Sequence, residues 1–199
     1  MRFSERTIVP LPAQTTRVSA VRGTLLGGSM NMLGERGLRE AYYDLLPEEH
    51  HEAAMSLLAM SWIPLPFAEA HYRAMQALVS DPEVQRASGL FVGERVQKSY
   101  LSTVVAALRA SGVVTPARLL TRMPTIWDRM FRGGSVGIDQ IGPKDLRVRA
   151  AGLPLFSIPY FRQGWEGVWK SGLGLVTRKT YLRRVKVDAD RYDMTIAWV

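Results

Sequence analysis
Two stretches near the carboxyl end alternate apolar and polar residues with a period of two, and this constrains the fold more than any other feature of the chain. Val136 and Ile138 alternate before Gly142-Pro143-Lys144-Asp145, and Leu146 and Val148 after it. Tyr181, Val185 and Val187 precede Asp188-Ala189-Asp190, and Tyr192, Met194, Ile196 and Trp198 follow it. Successive strand residues point to opposite faces, so residues 135–150 and 180–199 are each predicted to form an antiparallel hairpin with one buried face. The segment from Pro159 to Val176 reads as a helix and is the nearest element able to cover that face. A ββαββ unit therefore closes the chain.

Upstream the periodicity is helical. Residues 1–16 carry Pro10 and Pro12 and read as an extended arm, followed by a short strand over Arg17–Arg22. Met32 to Leu46 reads as a helix interrupted by Gly34 and Gly37. Pro47, Glu48 and Glu49 suit the first turn of a second helix, with Ala53, Leu57, Leu58 and Met60 as its apolar face. Pro64 and Pro66 start a third, with Phe67, Ala70, Ala74, Ala77 and Leu78 at helical spacing. In Ser80-Asp81-Pro82-Glu83, Ser80 is expected to cap and Glu83 to return the bond. The helix this opens is expected to reach Ser111, burying Val84, Phe91, Val92, Val96, Val104 and Leu108. Thr115-Pro116 opens a further helical stretch that Pro124 divides, and Gly133-Gly134 mark the switch to strands. The expectation is one α+β domain over 1–199: arm and short strand in 1–24, a helical part in 25–134, and the antiparallel ββαββ sheet unit in 135–199.

With 199 residues, 47% hydrophobic and 22% charged, the chain is large and apolar enough to bury its own core. The absence of cysteine excludes disulfides, thiolate metal sites and a cysteine nucleophile, and suits a reducing compartment. Arg2, Glu5, Arg6 and the two prolines leave no signal-peptide core, and no apolar run is long enough to span a bilayer, so a cytoplasmic location is expected. The net charge is +8, of which +5 falls in residues 135–199. Such an excess favours anionic partners.

Four groups of residues are candidates for function. Gly164, Gly167, Ser171 and Gly174 follow one helix stripe at three-four-three spacing. Each glycine costs a helix about 1 kcal/mol against alanine, so the stripe implies a close neighbour: the sheet, a second protomer or a flat ligand. The aromatic residues either fill the core or line an apolar pocket, and the pocket reading selects Trp62, His71, Tyr72, Trp127, Tyr160 and Trp165. His50 and His51 sit in a charged helix start without the converging ligands of a metal centre, so no metal is expected. His71 is either a core histidine or a base, and a base needs a hydroxyl or carboxylate within reach. Arg147 and Arg149 share one strand parity and Arg184 and Lys186 another, which predicts a basic outer sheet face. That face is either solvated or meets nucleic acid or an acidic protein. Phosphate-loop and nucleophile-elbow motifs are absent.

Gly37-Leu38-Arg39-Glu40-Ala41-Tyr42, Trp62-Ile63-Pro64, Ala70-His71-Tyr72, Met123-Pro124-Thr125-Ile126-Trp127 and the strand Tyr192–Trp198 together resemble a family of unknown function, of this chain's length, expanded in myxobacteria. That family carries no assigned activity. Helices followed by ββαββ are also similar, more distantly, to haem nitric-oxide-binding domains and to vinyl-reductase-type and TRAPP-type modules. The haem branch carries Tyr-x-Ser-x-Arg for the propionates, whereas Tyr100-Leu101-Ser102-Thr103-Val104 places valine at the arginine position.

The expected function is a non-enzymatic cytoplasmic module that senses a small apolar ligand or scaffolds a partner, as a homodimer. No cofactor is expected, haem included. The alternative is a nucleic-acid or acidic-partner binder that uses Arg147, Arg149, Arg184 and Lys186.

Overall fold
The computed structural model describes residues 3–96, 98, 106 and 115–199. Chain order runs β1 (Arg6–Val9), β2 (Ala20–Arg22), α1 (Gly27–Glu35), α2 (Arg39–Leu45), α3 (His51–Met55), β3 (Trp62–Pro64), α4 (Leu65–Leu78) and α5 (Pro82–Val96). Then follow α6 (Pro116–Leu120), α7 (Met123–Met130), β4 (Phe131–Arg132), β5 (Ser135–Gly142), β6 (Asp145–Ala151), α8 (Pro159–Leu173), β7 (Thr180–Val187) and β8 (Arg191–Trp198). The fold is α+β, with helices leading and an antiparallel ββαββ sheet closing the chain, as the alternation requires.

The two hairpins join through β6 and β8, in the strand order β1-β5-β6-β8-β7, all antiparallel. Register places Leu146 opposite Ile196, Val148 opposite Met194 and Ala150 opposite Tyr192, and all six are buried. Trp198, at the strand end, is only partly buried. The arm supplies β1, which pairs with β5 at the sheet edge. There the Thr7 hydroxyl donates to Asp139 Oδ1 at 3.0 Å, and Arg149 Nη2 meets the other oxygen of Asp139 at 2.8 Å. Asp139 is buried, so Asp139→Asn is expected to cost about 2 kcal/mol in urea unfolding and to open residues 3–16 to protease.

A second small sheet, β3-β2-β4, ties the short predicted strand to a segment from the middle of the helical part, between α3 and α4, and to one from its end. Gly133 and Gly134 follow β4 with φ of +90° and +69°, a region side-chain-bearing residues avoid. This sharp turn lets Trp127 Nε1 donate to the Gly133 carbonyl at 3.0 Å.

Helix starts and faces depart from the sequence expectation in three places. Asp81 caps α5, its Oδ1 accepting from the Glu83 amide at 2.8 Å, in place of Ser80. The helix after Pro47 stops at Met55, which leaves Leu58 and Met60 66% and 75% exposed and buries Ala54 in place of Ala53. The expected extension of α5 to Ser111 lies largely outside the described residues. Within α5 the buried positions are Gln85, Ser88, Gly89, Val92, Gly93 and Val96, while Val84 and Phe91 are only partly covered.

That small-residue face explains the glycine stripe. The neighbour of Gly164, Gly167 and Ser171 is α5, which crosses α8 backbone to backbone. A Cβ on Gly89 would collide with the Gly164 carbonyl, and one on Gly167 with the Arg86 carbonyl. One on Gly93 would lie 2.5 Å from Ser171 Cβ. Close approach of this kind requires small residues on both helices, and it brings α5 over the helix that covers the sheet.

Candidate functional site
His71, on α4, is fully buried. Its Nε2 lies 2.6 Å from Ser29 Oγ and its Nδ1 2.8 Å from the Tyr42 hydroxyl. The Ser29 hydroxyl donates to the Leu26 carbonyl at 2.9 Å. Ser29 is thus left to accept from Nε2–H, and Nδ1 to accept from Tyr42; the tautomer is assigned from this network. Burial pushes the His71 pKa down to about 3, so the ring is neutral. Burial also raises the Tyr42 phenol, with Tyr43 adding to the effect. The network is complete within the core.

From His71 an aromatic line runs inward. Ring centroids lie 5.0 Å apart for His71–Tyr72, 6.1 Å for Tyr72–Tyr160, 5.1 Å for Tyr72–Phe161 and 6.2 Å for Phe161–Trp165. Trp165 meets Trp127 edge-on at 6.0 Å, and Trp169 at the same distance. Five of the six pocket candidates therefore lie in one contiguous body. Trp62 lies apart, on the small sheet, with the Arg22 guanidinium 3.8 Å and that of Arg132 4.6 Å from its ring centroid.

Two cavities flank Trp165. The first, about 60 Å³ and almost wholly apolar, is walled by α6, α7 and α8 through Leu119, Leu120, Met123, Trp127, Trp165 and Trp169. The second, about 20 Å³, lies where α5 crosses α8 and is lined by Ser29, Tyr72, Ser88 and Tyr160. Helix α8 also carries buried polar atoms without partners: Tyr160 Oη, Trp165 Nε1 and Trp169 Nε1. Native interiors seldom leave such groups unpaired, so this region departs from ordinary core packing. A wider hollow of about 420 Å³, between α1, α2 and α3, opens to solvent.

The proposed basic face does not exist as drawn. Register shifts between Arg184 and Lys186, so Arg184 stands opposite buried Met194 and Lys186 opposite Asp193, on the other face. Arg184 reaches inward to Glu166 of α8, which also accepts from the Tyr192 hydroxyl at 2.8 Å. Arg147 pairs with Glu5 at 3.0 Å, Arg149 with Asp139, and Lys186 with Asp188 at 2.9 Å. Each of the four cations thus has a carboxylate partner.

No family model matches the chain, and no curated protein does. Solved structures do. An H-NOX protein from S. oneidensis in the Fe(II)NO ligation state aligns with a TM-score of 0.61 at 11% identity, over 89% of this chain and 99% of that one. The Fe(II) unliganded H-NOX protein from K. algicida aligns at 0.59 and 8% identity, over 89% and 96%. An oxygen-binding H-NOX domain related to soluble guanylate cyclases aligns at 0.57 and 10% identity, over 89% and 94%. The chain has the H-NOX fold, in line with its architectural likeness to haem nitric-oxide-binding domains.

Two expectations are corrected by this likeness. Binding of nucleic acid or an acidic partner through Arg147, Arg149, Arg184 and Lys186 is set aside: the solved structures that share the fold are described by oxygen and by Fe(II)NO ligation, and each of the four cations is paired with a carboxylate. The expectation of no cofactor, haem included, gives way because the proteins sharing the fold include ones described by their iron and heme. Whether the residues here fit a haem is a separate matter of geometry. His71 has both nitrogens engaged, and His51 Nε2 lies 3.0 Å and 2.8 Å from the Tyr43 and Leu46 carbonyls. His50 lies against Phe67 in an open groove beside Glu49. No imidazole lines either cavity beside Trp165, both far below the roughly 300–1,000 Å³ of ordinary ligand sites, and the groove of about 490 Å³ that His50 borders lies wide open to solvent. The described residues therefore do not fit an imidazole-ligated haem, and Tyr100–Val104 lies outside them. Among the described residues no three His, Asp or Glu gather as a metal would need, and no helix is long and apolar enough to cross a membrane.

Proposed function
We propose that this chain is a small-molecule-sensing module that admits a small apolar guest to the cavity between α6–α7 and α8. The observation that carries the reading is the unfilled space of about 60 Å³ walled by Trp127, Trp165 and Trp169. Interiors pack to crystal density, so an apolar void of this size forfeits contacts along its whole wall. A guest without hydrogen-bonding groups restores those contacts, and water gains nothing there. The H-NOX fold supports a sensing role, since proteins sharing it are described by bound nitric oxide and oxygen.

Occupancy would act on the rest of the fold through α8. Trp165 borders both cavities, and α8 is fixed to α5 by the glycine crossing and to β7 and β8 through Glu166. A guest that moves the Trp165 ring therefore pushes on both helix and sheet. The module is proposed as non-catalytic. Ser29 and Tyr42 do lie within reach of His71, but the Ser29 proton is committed to the Leu26 carbonyl and both ring nitrogens are engaged.

Native mass spectrometry of the purified full chain, which also counts the chains per particle, tests the proposal by detecting a co-purified guest. A haem, seen by its Soret band, would keep the sensing role and change the guest. Xenon under pressure, small enough for this space, is expected to raise the Tm of the wild-type protein, because a ligand that binds only the folded state stabilises it. Leu120→Phe, which fills the cavity from its wall, is expected to abolish most of that rise. No shift with xenon and no co-purified molecule would remove the proposal.

A further inference from the structure
We infer that the chamber at the α5–α8 crossing is a binding site for one structural water, and that this water joins Tyr160 to the His71 network. Tyr160 is 1% exposed and its hydroxyl has no partner. The Ser29 and Ser88 hydroxyls lie beside it without reaching hydrogen-bonding geometry. The space they enclose is about 20 Å³, which is room for a single water.

Proton accounting selects the guest. The Ser29 hydroxyl proton goes to the Leu26 carbonyl, and that of Ser88 goes to the Gln85 carbonyl at 2.7 Å. The Tyr72 hydroxyl is spent on the Leu25 carbonyl at 2.9 Å. The two serine oxygens therefore offer only lone pairs, and of the three hydroxyls that meet there, those of Ser29, Ser88 and Tyr160, only that of Tyr160 has a free proton. A molecule that donates twice and accepts once satisfies all three groups, and water does so with the three bonds typical of buried waters. A diatomic gas accepts only, so it would leave both serine lone pairs unused. The cluster of hydroxyls in this otherwise largely apolar chamber is thus matched to water, in contrast to the cavity on the far side of Trp165, whose wall carries almost no polar surface. With the water in place, one hydrogen-bonded chain runs from Tyr160 on α8 through Ser29 and His71 to Tyr42 on α2.

A crystal structure of the unmodified full chain, at a resolution that orders buried waters, tests this. The expected result is one full-occupancy water within hydrogen-bond distance of Tyr160 Oη, Ser29 Oγ and Ser88 Oγ, and its loss in Tyr160→Phe. An empty chamber, or Tyr160 bonded directly to either serine, would overturn it. Solution NMR gives a second reading that needs no variant. Cross-peaks from a long-lived water to the Gly89 and Gly164 protons are expected, and their absence with those signals assigned would sink the inference equally.

Discussion
Gly89→Ala is expected to lower the unfolding free energy by about 3 kcal/mol or more, or to prevent folding altogether, while Gly164→Ala at the same crossing is nearly silent. The asymmetry follows from where each Cβ would point. On Gly89 it is driven into the Gly164 carbonyl, backbone that cannot give way without parting the helices. On Gly164 its nearest neighbours are the Gln85 carbonyl and Ser88 Oγ at 3.8 Å, an ordinary contact. There the gain in helix propensity, up to about 1 kcal/mol, offsets whatever packing changes. Urea unfolding of the two variants decides the matter. Equal losses would mean that the crossing is not as drawn, and a tolerated Gly89→Ala would contradict the close approach directly.

Acid sensitivity is the second large effect. His71 has a folded pKa of about 3, below the unfolded value of roughly 6.5. Between these values the unfolded chain binds a proton that the folded chain refuses, so stability is full above the unfolded pKa and falls as pH drops through the window. One such group costs about 2 kcal/mol between pH 7 and pH 5, a range above most carboxylate titration. In His71→Gln the same interval should show that component removed, against a lower baseline from the disturbed Ser29 and Tyr42 bonds. An unchanged pH slope in the variant would place the proton uptake elsewhere.

Much of the sheet was legible because alternation reports directly on which face is buried. Tyr192, Met194 and Ile196 point inward as their spacing requires, and β6 and β8 align to put like with like. The basic face was not legible, because a one-residue bulge between Arg184 and Lys186 reverses parity in β7, where Tyr181, Val185 and Val187, read as the buried alternation, are exposed and Leu182 and Arg184 stand opposite the buried Ile196 and Met194. Helix α5 misled for a related reason. Val92 and Val96 are buried as their spacing requires, but the rest of the stripe is Gln85, Ser88, Gly89 and Gly93, which hydrophobicity does not mark, and the larger Val84 and Phe91 draw attention to the wrong side. The only signal was in α8, where the matching glycines implied a close neighbour without saying which.

The site divides the same way. Tyr72, Tyr160, Trp165 and Trp127 were recognisable as an apolar group by residue type, and the fold sets them side by side. Trp62 has the same chemistry and lies elsewhere, held between Arg22 and Arg132. Ser29 and Ser88 were missed, since a serine with its proton on a nearby carbonyl looks in sequence like any other helix serine. The cavities themselves are a property of packing, which no residue pattern records.

Xenon is the most direct probe of the central claim, because it enters dry apolar space and makes no hydrogen bonds. In crystals of the full chain under xenon pressure, one ordered xenon atom is expected against Trp127, Trp165 and Trp169, and none in the chamber beside Tyr160. Xenon absent from the tryptophan-walled cavity, or that cavity found closed by its own side chains, would contradict it.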